Sequence, residues 1–444
     1  MKRMRAIVCG VLAALMLAGC GSGAGVDLTQ YAVKEAAYPA YPAAPDYDSY
    51  CDRTGTLDWD AYSTALEKYQ REMQLLGKGD RPDDGAVRRF ADRTVGKIFT
   101  GGENTVYSPI SLYVALGMLT ELTDGETKQQ VMDLLGAADA GALRQQIKKL
   151  WVSVYQDGDA VCRLANAAFL RENADVKQSA ADTLAQWYYA SSYRVPMGTE
   201  EADRAIASWL NQQTGGLLAE ETGNIRTDAD NLLRLYNTIY YKAGWWEPFK
   251  SSRTKADTFT AADGSEQRAD FMHLTETGDV LRGEGYTAAP KSLKYGRMVF
   301  VLPDEGVTPE SLLARDGFLM ELTGEYSMAD VVWSVPRFDV KSSIDLKDIL
   351  KTLGVTDAFD GNMADFTPLT DNGAMVNSVM QAARVKIDEE GVEAAAYTEI
   401  VTNDSAAMIE PPPVVEMNLN RPFLFVIFDG NDVPLFVGMV QTVA

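Results

Sequence analysis

The run Glu389-Glu390-Gly391-Val392-Glu393-Ala394-Ala395-Ala396-Tyr397-Thr398-Glu399-Ile400-Val401-Thr402 reads as a strand and as a loop at once. At the strand period of two, Val392, Ala394, Ala396, Thr398, Ile400 and Thr402 share one uncharged face, while Glu393 and Glu399 fall on the other. Such a segment suits burial in a sheet. A polar run from Asn403 follows at once, however, and ends in Pro411, Pro412 and Pro413, which cannot donate ladder hydrogen bonds. The segment is therefore built both to lie in a sheet and to stand away from one.

The chain opens on a processing signal. Lys2, Arg3 and Arg5 precede an apolar run, residues 6–17, too short to span a bilayer. Leu17-Ala18-Gly19-Cys20 resembles the lipobox of bacterial lipoproteins, which implies removal of residues 1–19 and lipid on Cys20. The plainer alternative is a secretory peptide with a chance cysteine. Two or more acyl chains anchor a protein stably at a membrane surface, so the mature chain is expected outside the cytoplasm, tethered to a bacterial cell. Residues 20–85 read as that tether: a Gly/Ser-rich start, a Tyr/Pro/Ala-rich stretch near Tyr38 and Pro45, and an amphipathic helix from Trp59 to Leu76. As a flexible coil it would reach roughly 40 to 50 Å.

A chain of 444 residues can bury a sizeable core, and its length alone would suggest two or three ordinary domains. Hydrophobic residues make up 46% of the 444, and the net charge of −22 argues against nucleic acid or anionic lipid headgroups as partners. Beyond Cys9 and Cys20 only Cys51 and Cys162 remain, and their pairing is left open. Residues 86–98 read as a helix, and Ser108-Pro109 as the start of another, with a hydroxyl N-cap and proline in the first turn. Residues 126–135 form a helix closed by Gly136, whereas 235–241, 297–302 and 378–387 read as strands. The apolar run 423–428 turns through Asp429-Gly430-Asn431-Asp432 into 435–440, a core hairpin. Helices early and strands late favour an α+β fold.

No catalytic constellation is visible. His273 is the one histidine, and no Gly-x-Ser-x-Gly elbow, His-Glu-x-x-His helix or phosphate-binding loop occurs. A structural role for His273 is the simpler reading. Ser108 and Ser111 belong to a helix start. The chain is not read as an enzyme, and no metal or cofactor is expected.

From residue 86 onward the chain resembles the serpins, with the motifs in order. Asn104 to Ser111 is similar to the start of a family helix, and Gly125-Glu126-Thr127 to the start of the next. Asn237 to Phe249 resembles the strand and turn bearing the tryptophan of the so-called breach, here Trp245. Leu302-Pro303-Asp304-Glu305-Gly306, Val335-Pro336-Arg337-Phe338, Leu353-Gly354-Val355 and Leu419 to Phe425 also match. The resemblance implies mostly N-terminal helices around a large central mixed β-sheet, two smaller sheets, and an exposed reactive-centre loop, residues 392–413.

It also implies a mechanism. A protease attacks the loop, forms an acyl-enzyme, and is trapped when the N-terminal half of the loop inserts into the main sheet. Residues Glu389, Gly391, Val392, Glu393, Ala394, Ala395 and Ala396 correspond to the hinge. Inward-facing positions must be small and uncharged, because a buried unpaired charge would stall the strand. Val392 stands where threonine or serine is commoner, and Tyr397 is bulky, both departures from the pattern. Ser108, Ser111, Asn237 and Gln381 correspond to the shutter beneath the opening sheet, with Gln381 where many members have histidine. The usual family distance from Gly391 puts the reactive bond at Ser405-Ala406, with Asp404, Ala407 and Met408 as alternatives. Small side chains there suit elastase-like or subtilisin-like serine proteases, since the loop has no Lys or Arg for a trypsin-like pocket. The implied protein is a monomer. The alternatives are a non-inhibitory binding protein whose loop is a plain substrate, and an inhibitor of papain-like cysteine proteases.

Overall fold

The computed structural model describes residues 26–39, 41–52, 55–76, 85–393 and 412–443. Its helices are α1 (Trp59–Leu75), α2 (Ala86–Ile98), α3 (Pro109–Leu122), α4 (Gly125–Leu135), α5 (Ala140–Val154), α6 (Gln178–Tyr188), α7 (Glu200–Gln213), α8 (Ala219–Thr222), α9 (Pro309–Leu313), α10 (Phe318–Glu321) and α11 (Lys347–Thr352). The first half of the strands comprises β1 (Ala32–Lys34), β2 (Thr105–Tyr107), β3 (Gln156–Asp157), β4 (Val161–Arg171), β5 (Ala190–Val195), β6 (Leu233–Gly244), β7 (Lys255–Thr260) and β8 (Glu266–Gly283). The second half comprises β9 (Tyr286–Ser292), β10 (Arg297–Pro303), β11 (Ser327–Pro336), β12 (Phe338–Asp345), β13 (Met380–Ile387), β14 (Gly391–Val392), β15 (Val414–Asn418), β16 (Phe423–Phe428) and β17 (Pro434–Val440).

Two sheets organise the described residues. The main sheet runs β1-β5-β4-β6-β14-β13-β12, with β3 beside β4, and mixes one parallel pair, β4 with β5, into an otherwise antiparallel ladder. The second runs β15-β11-β8-β9-β10-β16-β17-β2, with β7 on β8. The two smaller sheets expected from the sequence are thus joined, because the 18-residue β8 pairs with β11 along one part and with β9 along another.

Local chemistry accounts for the elements that carry the site. Ser108 caps α3, its Oγ accepting from the Ser111 amide, and Pro109 fills the first turn. Every α3 residue except Ala115 is buried, so α3 is a core helix behind the main sheet. All six residues of β16 and all seven of β17 are buried, which fits their continuous apolar runs. Asp429 Oδ1 shapes their turn by accepting from the Asn431 and Val433 amides, both at 2.8 Å.

The N-terminal arm departs from expectation. β1 pairs with β5 as an edge strand, and the Ala36 amide donates to Ser191 Oγ at 3.1 Å. Tyr38 stacks on Trp151 at 5.4 Å, and Tyr41 on Tyr155 at 4.8 Å. This stretch lies against the body instead of forming free coil, because stacking and a strand edge offset the entropy of ordering it. No disulfide joins Cys51 on the arm to Cys162 in β4.

Candidate functional site: a strand slot and its hinge

The site is the gap between β6 and β13, centre strands of the main sheet. Among the described residues they are linked only at the top, through β14: Gly391 pairs with Gly244 and Val392 with Ala243 on one side, and Ile387 pairs with Val392 on the other. Both pairings are antiparallel. Below Val392 no ladder joins β6 to β13 among the described residues.

A short hairpin makes the link. Asp388 Oδ1 accepts from the amides of Glu390 (2.9 Å) and Gly391 (3.3 Å), the Asp388 amide donates to the Gly391 carbonyl at 3.0 Å, and the Glu393 amide donates to the Lys386 carbonyl at 3.1 Å. Gly391, at φ 154°, is forced by close approach: a Cβ there would lie 2.3 Å from the Ala243 carbonyl oxygen. Val392 is buried at 2% exposure, in one apolar cluster with Ala243 and Ile387. Glu393 then turns away at φ 47° and ends the pairing. The strand period places Glu393 on the face opposite Val392, and the left-handed turn that breaks this period leaves its side chain half-buried.

The hinge backbone is held by the turn after β6. Three successive carbonyls, of Asp388, Glu389 and Glu390, accept from Trp245 Nε1 (2.9 Å), the Phe249 amide (3.0 Å) and the Trp245 amide (2.8 Å). The Glu389 side chain is buried, accepting from Arg337 Nη2 (2.5 Å), Arg337 Nε (3.0 Å) and Thr254 Oγ1 (2.5 Å). Burial alone would raise its carboxyl, yet the guanidinium and the hydroxyl hold it below the ordinary carboxylate value. Glu393 behaves oppositely: burial pushes its carboxyl up to about 7, despite Lys242, Arg384 and Lys386 nearby.

Lower in the gap lies a buried polar network. Gln381 straddles the Ser108 backbone, accepting from its amide at 2.8 Å and donating to its carbonyl at 3.0 Å, which ties β13 to the start of α3. Ser111 Oγ bonds Asn237 Oδ1, Asn237 Nδ2 bonds Asn166 Oδ1, and Asn166 Nδ2 donates to the Tyr188 carbonyl. Beneath these, Leu112, Leu116, Leu235, Phe366, Val376 and Val379 line a cavity of about 100 Å³. The slot is apolar with a polar latch on each side.

Of the residues expected at the breach and shutter, Trp245 lies at the hinge, while Ser108, Ser111, Asn237 and Gln381 meet lower in the gap. Ala394, Ala395, Ala396, Asp404, Ser405, Ala406, Ala407, Met408 and the lipid site Cys20 lie outside the described residues. Sequence reasoning missed Asp388, Thr254 and Asn166, and quoted Arg337 and Phe249 within family motifs without giving them a role at the hinge. Asp388, three residues before a glycine, carried a readable turn signal; the others act across long sequence separations.

A family model described as Serpin (serine protease inhibitor) matches residues 86–443. The chain is a member of the serpin family. Serpin-Z1A of Triticum aestivum is 30% identical over 377 residues, covering 79% of this chain and 94% of that protein. Serpin B6 of Macaca fascicularis is 28% identical, covering 76% and 91%. In fold, this serpin is similar to the thermophilic serpin tengpin in its native state, with a TM-score of 0.72 at 23% identity, covering 81% of this chain and 95% of tengpin. Thyroxine-binding globulin in complex with thyroxine is also similar, with a TM-score of 0.70 at 23% identity, covering 81% and 99%. Serpins are in general protease inhibitors rather than catalysts, and act on target proteases.

Proposed function

We propose that this serpin is an extracellular inhibitor, held at a bacterial cell surface by lipid on Cys20, that traps elastase-like or subtilisin-like serine proteases as acyl-enzymes. The protease serine attacks the carbonyl of Ser405, the 405–406 peptide bond breaks with its amine leaving on Ala406, and the ester remains on Ser405. Insertion of the freed strand then outruns hydrolysis of that ester.

The observation that carries this reading is a strand already begun. Val392 is paired on both sides and Gly391 with β6, and among the described residues no ladder joins the edges of β6 and β13 below them. Carrying the two registers downward sets Ala394 between Tyr241 and Val385, and Ala396 between Ile239 and Ala383. Thr398 would then come between Asn237 and Gln381, and Ile400 between Leu235 and Val379, over the cavity. The polar side chain meets the polar latch and the large apolar one meets the apolar space. Each position turned inward is uncharged, which is what burial demands.

The test is to mix the full chain with pancreatic elastase and, separately, with subtilisin. A complex that survives denaturing electrophoresis is expected, and the mass of the released C-terminal fragment reports the cut. A clipped chain with no complex from either protease would mean a non-inhibitory protein. Ile400→Asp, which would bury an unpaired charge at a cost of several kcal/mol, should form an acyl-enzyme that hydrolyses, turning inhibitor into substrate.

A further inference from the structure

Beneath the hinge lies a buried cation that none of the roles above uses. Lys291 in β9 is 1% exposed, and its ammonium lies 3.0 Å from Glu276 Oε1 in β8. The same oxygen accepts from Trp333 Nε1 at 2.9 Å. The ammonium sits 4.9 Å from the centroid of the Phe249 ring and 5.8 Å from that of Trp245, two rings that meet edge-on at 6.0 Å. Those two residues supply all three donors to the hinge carbonyls of Asp388, Glu389 and Glu390.

Packing alone does not call for a lysine here. A buried ion pair is commonly matched or bettered in stability by apolar residues of similar volume, and desolvation counts against the charged lysine. What the charge adds is direction, since a cation attracts ring faces and fixes their orientation where an alkyl chain would not. We infer that Lys291, anchored by Glu276, is a positioning residue for loop insertion: by holding the rings of Trp245 and Phe249 it fixes these two residues, so that the Trp245 indole N–H and the main-chain amides of both keep the hinge hairpin closed and Val392 seated between β6 and β13. This rests on the trapping reading proposed above. The rate of insertion then scales with the fraction of molecules whose hinge is seated. Lys291 does not touch the protease, so the encounter rate is independent of it.

The experiment compares the full chain with Lys291→Met and with the double variant Lys291→Met/Glu276→Leu. Amide exchange over residues 388–393 and 245–249 is followed by mass spectrometry, alongside the association rate and the stoichiometry of inhibition with elastase and subtilisin. In Lys291→Met, hinge exchange should accelerate about tenfold and the stoichiometry rise several-fold, with the association rate unchanged. The double variant should melt at or above the parent temperature yet keep the fast hinge exchange, which separates positioning from stability and serves alone if the single variant does not fold. Parental exchange at the hinge in either variant overturns the inference. If the unmodified chain forms no covalent complex, the trapping reading falls, and hinge exchange still decides whether Lys291 positions the hairpin.

Discussion

Glu393 is the residue at which the seated hinge stops, and its chemistry would give the proposed insertion a pH dependence. Its Oε2 is buried without a hydrogen-bond partner, and burial raises its carboxyl from 4.5 to about 7. The seated hinge therefore binds a proton that the unseated one, with an ordinary carboxyl, gives up. Seating is favoured below about 4.5 and weakens as pH rises through about 7. Hinge protection factors, corrected for the intrinsic base-catalysed exchange rate, should be lower at pH 8 than at pH 5.5, and Glu393→Gln should flatten the difference; equal slopes in both proteins would refute this. Glu389 has the opposite sign: its contribution is present above the ordinary carboxyl value and is lost as pH falls through its lowered one. Glu389→Ala leaves Arg337 without its closest carboxylate and should cost ~2–3 kcal/mol in chemical denaturation. The acidic position itself was legible from the hinge pattern. Arg337, 52 residues earlier in the chain, was not, because nothing local in Val-Pro-Arg-Phe says which carboxylate it meets.

At the scale of elements, local rules served where local interactions decide. Ser108-Pro109 starts a helix because the hydroxyl and the missing N–H suit its first turn, and the β16–β17 hairpin follows from two apolar runs around an Asp-Gly turn. They failed on the arm. Tyr38 and Tyr41 sit among prolines and alanines that read as linker, but their partners Trp151, Tyr155 and Tyr189 come from α5 and α6 or their ends. Proximity of that kind exists only after folding. Tyr38→Ala, removing two stacked contacts, should cost ~1 kcal/mol and expose residues 26–50 to limited proteolysis while leaving the body intact.

For the whole molecule, the proposed insertion requires that the uncleaved state be less stable than one with an added central strand. About ten further residues in the ladder, at ~1 kcal/mol each, would contribute on the order of 10 kcal/mol. At roughly 1–2 °C per kcal/mol for a chain of this size, nicking between Asn403 and Ile409 should raise Tm by ~10–20 °C in a thermal scan, and an unchanged Tm would contradict insertion. The fold class was readable because it depends on many weak patterns that agree; the continuity of the second sheet was not, since it depends on one strand, β8, serving two neighbours.

The docked arm changes the geometry of any anchorage through Cys20. With Val26 already packed against the body, only six residue steps separate it from the proposed acyl site, a leash of at most ~20 Å. Instead of sweeping a wide volume of medium, the inhibitor would guard a thin shell at the envelope, intercepting proteases that come close enough to cut what is embedded there.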